Sequence, residues 1–233
     1  TIRMPRGNMP RLVLPLAIAT LLLAVVAPAQ AQGLPDPLGL RGFNLGMTLA
    51  DVRKLPHPDK PAGKVELICT GDELGAELDI ALDPFSRDHT AIGMKVCGFY
   101  VLGKYRIRTA AMDVAGYDSI VRFFFTPKSD TPATSERLFS ISVSSHTANF
   151  HEMLLALLSK YGAAKTDRKV PGDKGKPEVR MLDWRSDKNG IFMIEVSDAG
   201  PGNTLEIAYS DWPLLKLVEG LAEKVKKPGA DKL

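Results

Sequence analysis

The sequence predicts an α+β fold in which antiparallel sheets are covered by a few helices. Strand-like segments follow one another in runs instead of alternating regularly with helices, as expected when consecutive strands pair antiparallel. Only a few segments show the apolar spacing of an amphipathic helix. With 45% hydrophobic and 24% charged residues, the composition is that of an ordinary globular protein. Within this class, two tandem units, each a helix followed by three strands, fit the order best.

Residues 9–31 have the features of a secretory signal peptide. Arg11 precedes an apolar run at 12–26, and an A-x-A cleavage site follows at 29–31. A membrane anchor is the alternative interpretation, but Pro15 interrupts the run, which is shorter than the roughly 20 residues of a membrane span. No cysteine follows the run, so we do not expect a lipoprotein anchor. We assign 1–31 to the signal peptide with upstream residues and expect a periplasmic or secreted chain without a stable membrane anchor after cleavage.

The charge balance of the remaining chain argues against nucleic-acid binding. Residues 1–31 hold three of the 30 basic residues and none of the 27 acidic ones, so the rest of the chain carries equal numbers of both. A nucleic-acid-binding protein is expected to carry a basic patch or stripe. We therefore expect no nucleic-acid partner.

The two cysteines, Cys69 and Cys97, are expected to form one disulfide. In an exported chain such a pair is more typical of a structural bridge than of a metal or redox site. A catalytic redox pair would be closer in sequence, as in C-x-x-C. On this interpretation both cysteines lie on strands.

The first unit spans residues 32–126. A Gly- and Pro-rich lead-in reaches a short helix that Thr48 caps, with Asp51 as an acidic variant of the capping box. Strand patterns follow; in 76–83, apolar and polar residues alternate as in a half-buried strand. The run Phe123–Phe125 is interpreted as buried core, with one exposed ring as the alternative.

Residues 127–137, rich in Pro, Ser and Thr, are the predicted linker or long loop. The second unit spans 138–233. In 139–144, apolar residues alternate with serines, which predicts a sheet with one wet face. The clearest helix is 149–161, with Asn149 as its predicted cap and Gly162 as its end.

A meander and a last helix complete the second unit. Three strands are predicted over 181–211, with Asn189-Gly190 in the first turn, and the last helix starts near Pro213. The stretch 69–83 aligns weakly with 184–198, which suggests an internal repeat. Whether the two units share one sheet is left open by the sequence.

No local motif for catalysis or cofactor binding is present. The sequence lacks a G-x-S-x-G elbow, a Walker loop and a dinucleotide-binding fingerprint, and its Asp-rich stretches fit turns better than calcium loops. We expect no catalytic residue, no cofactor and no metal. The alternative is a periplasmic hydrolase or small-ligand enzyme, whose site combines residues distant in sequence: His146 or His151 with Asp183, Asp187 or Asp198.

The helix entry at residues 42–55 carries a family resemblance. Gly46, Met47, Thr48, Asp51, Val52 and Leu55 resemble the G-M-T-x-x-(D/E/Q)-V-x-x-L pattern of small outer-membrane assembly lipoproteins (SmpA/OmlA-like). Their helix-plus-three-strand fold is shared with tandem β-lactamase-inhibitor-protein-like domains. The resemblance implies that fold for each unit. The lipidation cysteine of the lipoproteins is missing here, and the chain has twice the length of their single copy.

These observations favour an exported, non-catalytic protein that acts as an interaction or binding module on envelope proteins. Its oligomeric state is not determined by the sequence. Because aromatic residues are enriched in the cores of interfaces, the candidate surface residues are Phe99, Tyr100, Phe123, Phe124, Phe125 and Trp212.

Overall fold

An antiparallel sheet of ten strands forms the centre of the protein. The computed structural model describes residues 33–77, 89, 91–104, 106–171, 178–196 and 204–226. Its strands are β1 (Gly39–Leu40), β2 (Phe43–Asn44), β3 (Lys64–Cys69), β4 (Lys95–Leu102), β5 (Ile107–Thr109), β6 (Met112–Val114), β7 (Tyr117–Phe125), β8 (Leu138–His146), β9 (Thr166–Val170), β10 (Val179–Arg185), β11 (Asn189–Val196) and β12 (Thr204–Asp211). Its helices are α1 (Leu49–Val52), α2 (Glu73–Glu77), α3 (Phe150–Tyr161) and α4 (Trp212–Lys226).

The main sheet joins two meanders of four principal strands each. Its order is β3-β4-β7-β8-β12-β11-β10-β9, with β5 paired to β4 and β6 paired to β7. The meanders meet where β8 pairs antiparallel with β12, in register from Ser140 opposite Ser210 to His146 opposite Thr204. The predicted α+β class is thus confirmed, and the two halves share one sheet. Each meander has four principal strands where the sequence predicted three.

One face of the sheet, which we call the covered face, holds the larger core. Because side chains alternate along a strand, every second residue of β7, β8, β11 and β12 points to this side. Helix α3 packs there through its buried stripe, which includes Phe150, Met153 and Leu157. The fully buried side chains of this core include Phe43, Phe123, Phe125, Ile141, Ile191 and Met193.

The opposite face, which we call the open face, is only partly covered. A smaller core forms where Val218 of α4 meets Phe124, Phe139 and Val96, and Leu74 of α2 packs against the same cluster. Farther along, on β12, β11, β10 and β9, no described helix other than the start of α4 packs on the sheet. The serines predicted for the wet face lie on β8 and are less exposed than expected: Ser140 is buried, and Ser142 and Ser144 are half-buried.

The two helix starts for which a cap was predicted, those of α1 and α3, differ in how they are capped. Thr48 caps α1 as predicted, since its Oγ1 accepts a hydrogen bond from the backbone N–H of Asp51 at 3.1 Å. The predicted cap by Asn149 is wrong: this side chain makes no cap bond, and its Nδ2 donates to Ser145 Oγ at 3.0 Å. Gly162 ends α3 with φ +77°, as predicted.

Three local predictions change in the structure. The strand predicted over 76–83 begins with residues that belong to α2, and 78–83 lie outside the described residues. The suggested repeat fails because 73–77 are helical while the aligned 188–192 enter β11. The turn between β10 and β11 is centred on Asp187 and Lys188, closed by the Ser186 N–H donating to Asn189 O at 2.9 Å.

The predicted disulfide joins neighbouring strands. Cys69 of β3 lies directly opposite Cys97 of β4, with a Cα–Cα distance of 4.0 Å, and both side chains are fully buried. The bond lies in the larger core. A buried structural disulfide of this kind is typical of chains that fold in an oxidising compartment.

Candidate binding site on the open face

Most of the aromatic residues proposed from the sequence as surface residues are buried. Phe99 is 4% exposed, and Phe123, Phe124 and Phe125 are at most 1% exposed. Their rings pack in the two cores, so they contribute no surface to the folded chain. Tyr100 and Trp212 are half-buried, and of these two Trp212 belongs to a cluster of polar and aromatic side chains.

That cluster, the Arg185 cluster, consists of Asp183, Arg185, Phe192 and Trp212. Asp183 and Arg185 are two residues apart on β10, and Phe192 of β11 lies opposite Asp183, so the strand period puts all three on the open face. Arg185 forms an ion pair with Asp183, in which Nε lies 2.7 Å from Oδ2. The guanidinium carbon is 5.0 Å from the centroid of the Phe192 ring and 5.7 Å from that of Trp212. The two rings meet edge to face, with centroids 5.6 Å apart.

Gly190 makes room for Trp212. The indole of Trp212 lies against the backbone of Gly190, so a Cβ at this position would overlap the ring and come within 2.9 Å of the Trp184 carbonyl oxygen. The backbone N–H of Trp212 also donates to Lys188 O at 2.9 Å. Sequence reasoning assigned Gly190 to a turn, whereas its structural role is close packing with the first residue of α4.

Asp183 is a buried carboxylate with unused hydrogen-bonding capacity. Its side chain is 8% exposed, and its Oδ1 has no hydrogen-bond partner among the described residues. Burying a charged oxygen without a partner costs free energy. Among the described residues, Arg185 is the cation that pairs with Asp183, and this ion pair holds its side chain in place.

The cluster borders a cleft of about 220 Å³ between β9, β10 and β11. Its walls are Thr166, Arg168, Met181, Asp183, Arg185 and Phe192. Arg168 of β9 lies opposite Met181, is exposed, and forms no hydrogen bond or ion pair with a described residue. Two guanidinium groups and one carboxylate face the cleft, so its local charge is positive.

A polar patch extends the site across β12 and β8. Ser142 Oγ donates to Glu206 Oε2 at 3.1 Å, and Ser144 Oγ donates to Glu206 Oε1. Two of the three serines predicted to face solvent are therefore bonded across the strands to a glutamate of β12, while Ser140 Oγ lies 3.4 Å from Ser210 Oγ. Half-buried apolar side chains, Met181 and Ile194, lie between this patch and the edge of the sheet.

A larger cleft, of about 310 Å³, lies elsewhere and is lined by Asp59, Arg108, Asp113 and Asp118 among others. Asp59 is already engaged, since one carboxylate oxygen pairs with Arg41 and the other accepts from the Asp113 backbone N–H at 2.7 Å. Nearby, His57 is buried, and burial lowers the pKa of its imidazole. The neighbouring cleft that His57 lines contains Glu66 and Arg53.

Among the described residues, the histidines and aspartates of the hydrolase alternative do not meet. His146 lies at the end of β8, three strands from Asp183, which is about 14 Å across the strands alone. Its Nδ1 accepts from the Ala148 backbone N–H at 3.1 Å. His151 is exposed on α3 and Asp187 is exposed in the β10–β11 turn, while Asp198 lies outside the described residues.

Among the described residues, there is no group of three or more His, Cys, Asp or Glu side chains that could hold a metal ion. No described helix is long and apolar enough to cross a membrane. No protein-family model, curated protein or solved structure matches the chain. The site is therefore interpreted from its own geometry.

Sequence reasoning identified Trp212 and Asp183 separately but missed Arg185 and Phe192. A signal was present in residues 181–185, where Asp and Arg occupy alternate positions of a strand pattern that is otherwise apolar. Such i, i+2 residues share one face of a strand. The contribution of Trp212 depends on the contact between α4 and β11, which no local pattern reveals.

Proposed function

We propose that the chain is an exported, non-catalytic binding module of the cell envelope, and that its open face around the Arg185 cluster is the surface that recognises an envelope protein. The observation that carries this proposal is the structure of that face. A half-buried tryptophan, a phenylalanine and an arginine, residue types enriched at interaction hot spots, are fixed together on a sheet surface that described helices leave uncovered.

The surroundings of the cluster support an interface more than a core. Interfaces combine an aromatic centre with a polar rim, and here Ser142, Ser144 and Glu206 lie beside the aromatic and arginine side chains. Ile120 on β7, in line with Ser144, is 41% exposed on the same face. The signal-peptide pattern and the buried disulfide support export, because a disulfide persists in the periplasm or outside the cell.

Site-specific photo-crosslinking in intact cells tests the proposal. A photoreactive phenylalanine analogue is placed at Ile120 on the open face or, as a matched control, at Leu155, which is 51% exposed on the opposite side of the molecule. We expect one envelope protein to be captured reproducibly from position 120 and not from position 155. Capture of the same proteins from both positions, or of none from position 120, contradicts the proposal.

Fractionation tests the compartment separately. We expect the cleaved chain in the periplasmic or secreted fraction, with both thiols blocked against alkylation until a reductant is added. Cytosolic chain with free thiols would rule out the export on which the proposal depends.

A further inference from the structure

The geometry points to Arg185 as a carboxylate-binding residue, so that the partner presents an acidic side chain to the cleft between β9, β10 and β11. This inference deepens the proposed function and rests on it. The observation behind it is that the guanidinium is positioned by its neighbours while its outer donors remain unused.

Three contacts hold the guanidinium. Asp183 forms an ion pair with Nε, and the rings of Phe192 and Trp212 lie within 6 Å of the guanidinium carbon. Such cation–π contacts and a short ion pair fix a side chain that otherwise has many rotamers. Less conformational entropy is then lost when a ligand binds.

The outer end of Arg185 remains available. No described residue accepts a hydrogen bond from its Nη1 or Nη2, and the side chain is 49% exposed. These two nitrogens form the planar edge of the guanidinium, which matches the two oxygens of a carboxylate. An incoming carboxylate is bound there without displacing Asp183 from Nε.

The other cleft residues select the charge and shape of the ligand. Arg168 adds a second cation, so a basic side chain is repelled. The buried Asp183 carboxylate disfavours a doubly charged phosphate more than a singly charged carboxylate. Met181 and Phe192 provide apolar contact for the methylene groups of an acidic side chain. Thr166 adds a hydroxyl donor at the rim.

The two tryptophans provide a direct measurement of binding to the intact mature chain. Trp212 is in the cluster, whereas Trp184 lies on the covered face with its Nε1–H donating to Gly162 O at 2.9 Å. The indole signals in a ¹⁵N spectrum therefore report the site and an internal control. The chain is titrated with acetyl-glutamate amide, acetyl-glutamine amide, acetyl-lysine amide or inorganic phosphate.

We expect acetyl-glutamate amide to move the Trp212 signal saturably and to leave the Trp184 signal in place. The neutral glutamine analogue has the same shape. Its affinity should be lower by a factor of about ten or more, because a charge-assisted hydrogen bond is lost. An unmoved Trp212 signal with acetyl-glutamate amide overturns the inference. So does tighter binding of phosphate or of acetyl-lysine amide.

Variants assign the effect to Arg185. R185Q should abolish the titration, while R122Q, which changes a half-buried arginine elsewhere on the open face, should preserve it. An unchanged Trp184 signal shows that each variant is folded. If a variant does not fold, the titration of the wild-type chain still tests the inference. Retention of binding by folded R185Q overturns the inference.

Crosslinking from position 120 separates this inference from the proposed function. Capture of a partner that R185Q does not weaken leaves the binding module in place and rejects the carboxylate contact. Saturable binding of acetyl-glutamate amide without any captured partner supports the Arg185 site and rejects the envelope-protein partner.

Discussion

The covered and open faces of the sheet are made from the same strands but differ in the contacts that their side chains form. On the covered face, Phe123 and Ile141 are fully buried in the larger core, to which α3 and β2 also contribute side chains. On the open face, the strand neighbours Ser142 and Glu206 bond to each other. The covered face therefore contributes to stability mainly through burial of apolar surface. On the other face, serines of β8 bond to Glu206 of β12 within the sheet, and apolar burial is confined to the smaller core.

Removing a methyl-rich side chain from each face gives the largest expected contrast. Ile141→Ala on the covered face should lower the free energy of unfolding by about 2–5 kcal/mol, since it opens a cavity in a packed core. Ile120→Ala, on the adjacent strand and 41% exposed on the open face, should cost less than about 1 kcal/mol. Urea unfolding of both variants measures the difference. Equal losses would contradict the assignment of the two faces.

The disulfide tests how far the covered face depends on a covalent link. Replacing Cys69 and Cys97 together by alanine releases a bridge that spans a sequence separation of 28 residues. The free energy of unfolding should fall by about 3.5 kcal/mol on the chain-entropy model. Denaturant midpoints of the oxidised, reduced and double-alanine chains provide the measurement. If reduction leaves the midpoint unchanged, the bond does not stabilise the fold.

Strand-forming residues were predictable from the sequence where the apolar pattern was strong. The runs around β4, β7 and β8 are rich in β-branched and aromatic residues, and each forms a strand with several consecutive buried positions. Strand β9 was missed because Thr166–Val170 is exposed at every position. It is a strand because it pairs with β10, and this pairing depends on tertiary structure.

The site was less predictable than the fold. The positions of Phe123–Phe125 within a long apolar strand favoured burial, and the structure places all three in the cores. The Arg185 cluster, in contrast, depends on three features that come from different elements. The register of the β10–β11 hairpin places Phe192 beside Asp183 and Arg185, Gly190 leaves space for the indole, and the start of α4 supplies Trp212. These are contacts between elements, so the pattern within any single segment cannot supply them.

Substitution at Gly190 tests whether close packing positions Trp212. Gly190→Ala forces the indole or the strand to move and should cost about 1–3 kcal/mol through overpacking. The Trp212 indole signal should shift more than that of Trp184. Gly220→Ala is the matched control: nothing lies within 4 Å of its added Cβ in α4, and it should stabilise the chain by about 0.5–1 kcal/mol. A gain in stability at both positions would contradict the packing role of Gly190.

The smallest expected effect is a pH dependence from His57, which packs edge-on against Phe99 beneath the covered face, with ring centroids 5.0 Å apart. Burial is the largest influence and lowers the pKa of His57 below its ordinary value of 6.5, while Asp59 and the carbonyls of Ala110 and Ala111 partly oppose it. Because these influences offset, the change should be smaller than that of a core truncation.

Its sign follows from proton binding. As pH falls, the unfolded chain protonates His57 near 6.5 while the folded chain does so only at lower pH, so the stabilising contribution is complete above 6.5 and is lost as pH falls through the folded pKa. In His57→Asn, whose side-chain oxygen can still accept from the Asp59 backbone N–H, this slope should disappear. Urea unfolding between about pH 7.5 and 5 measures it. The same slope in both proteins would show that burial of His57 is not its source.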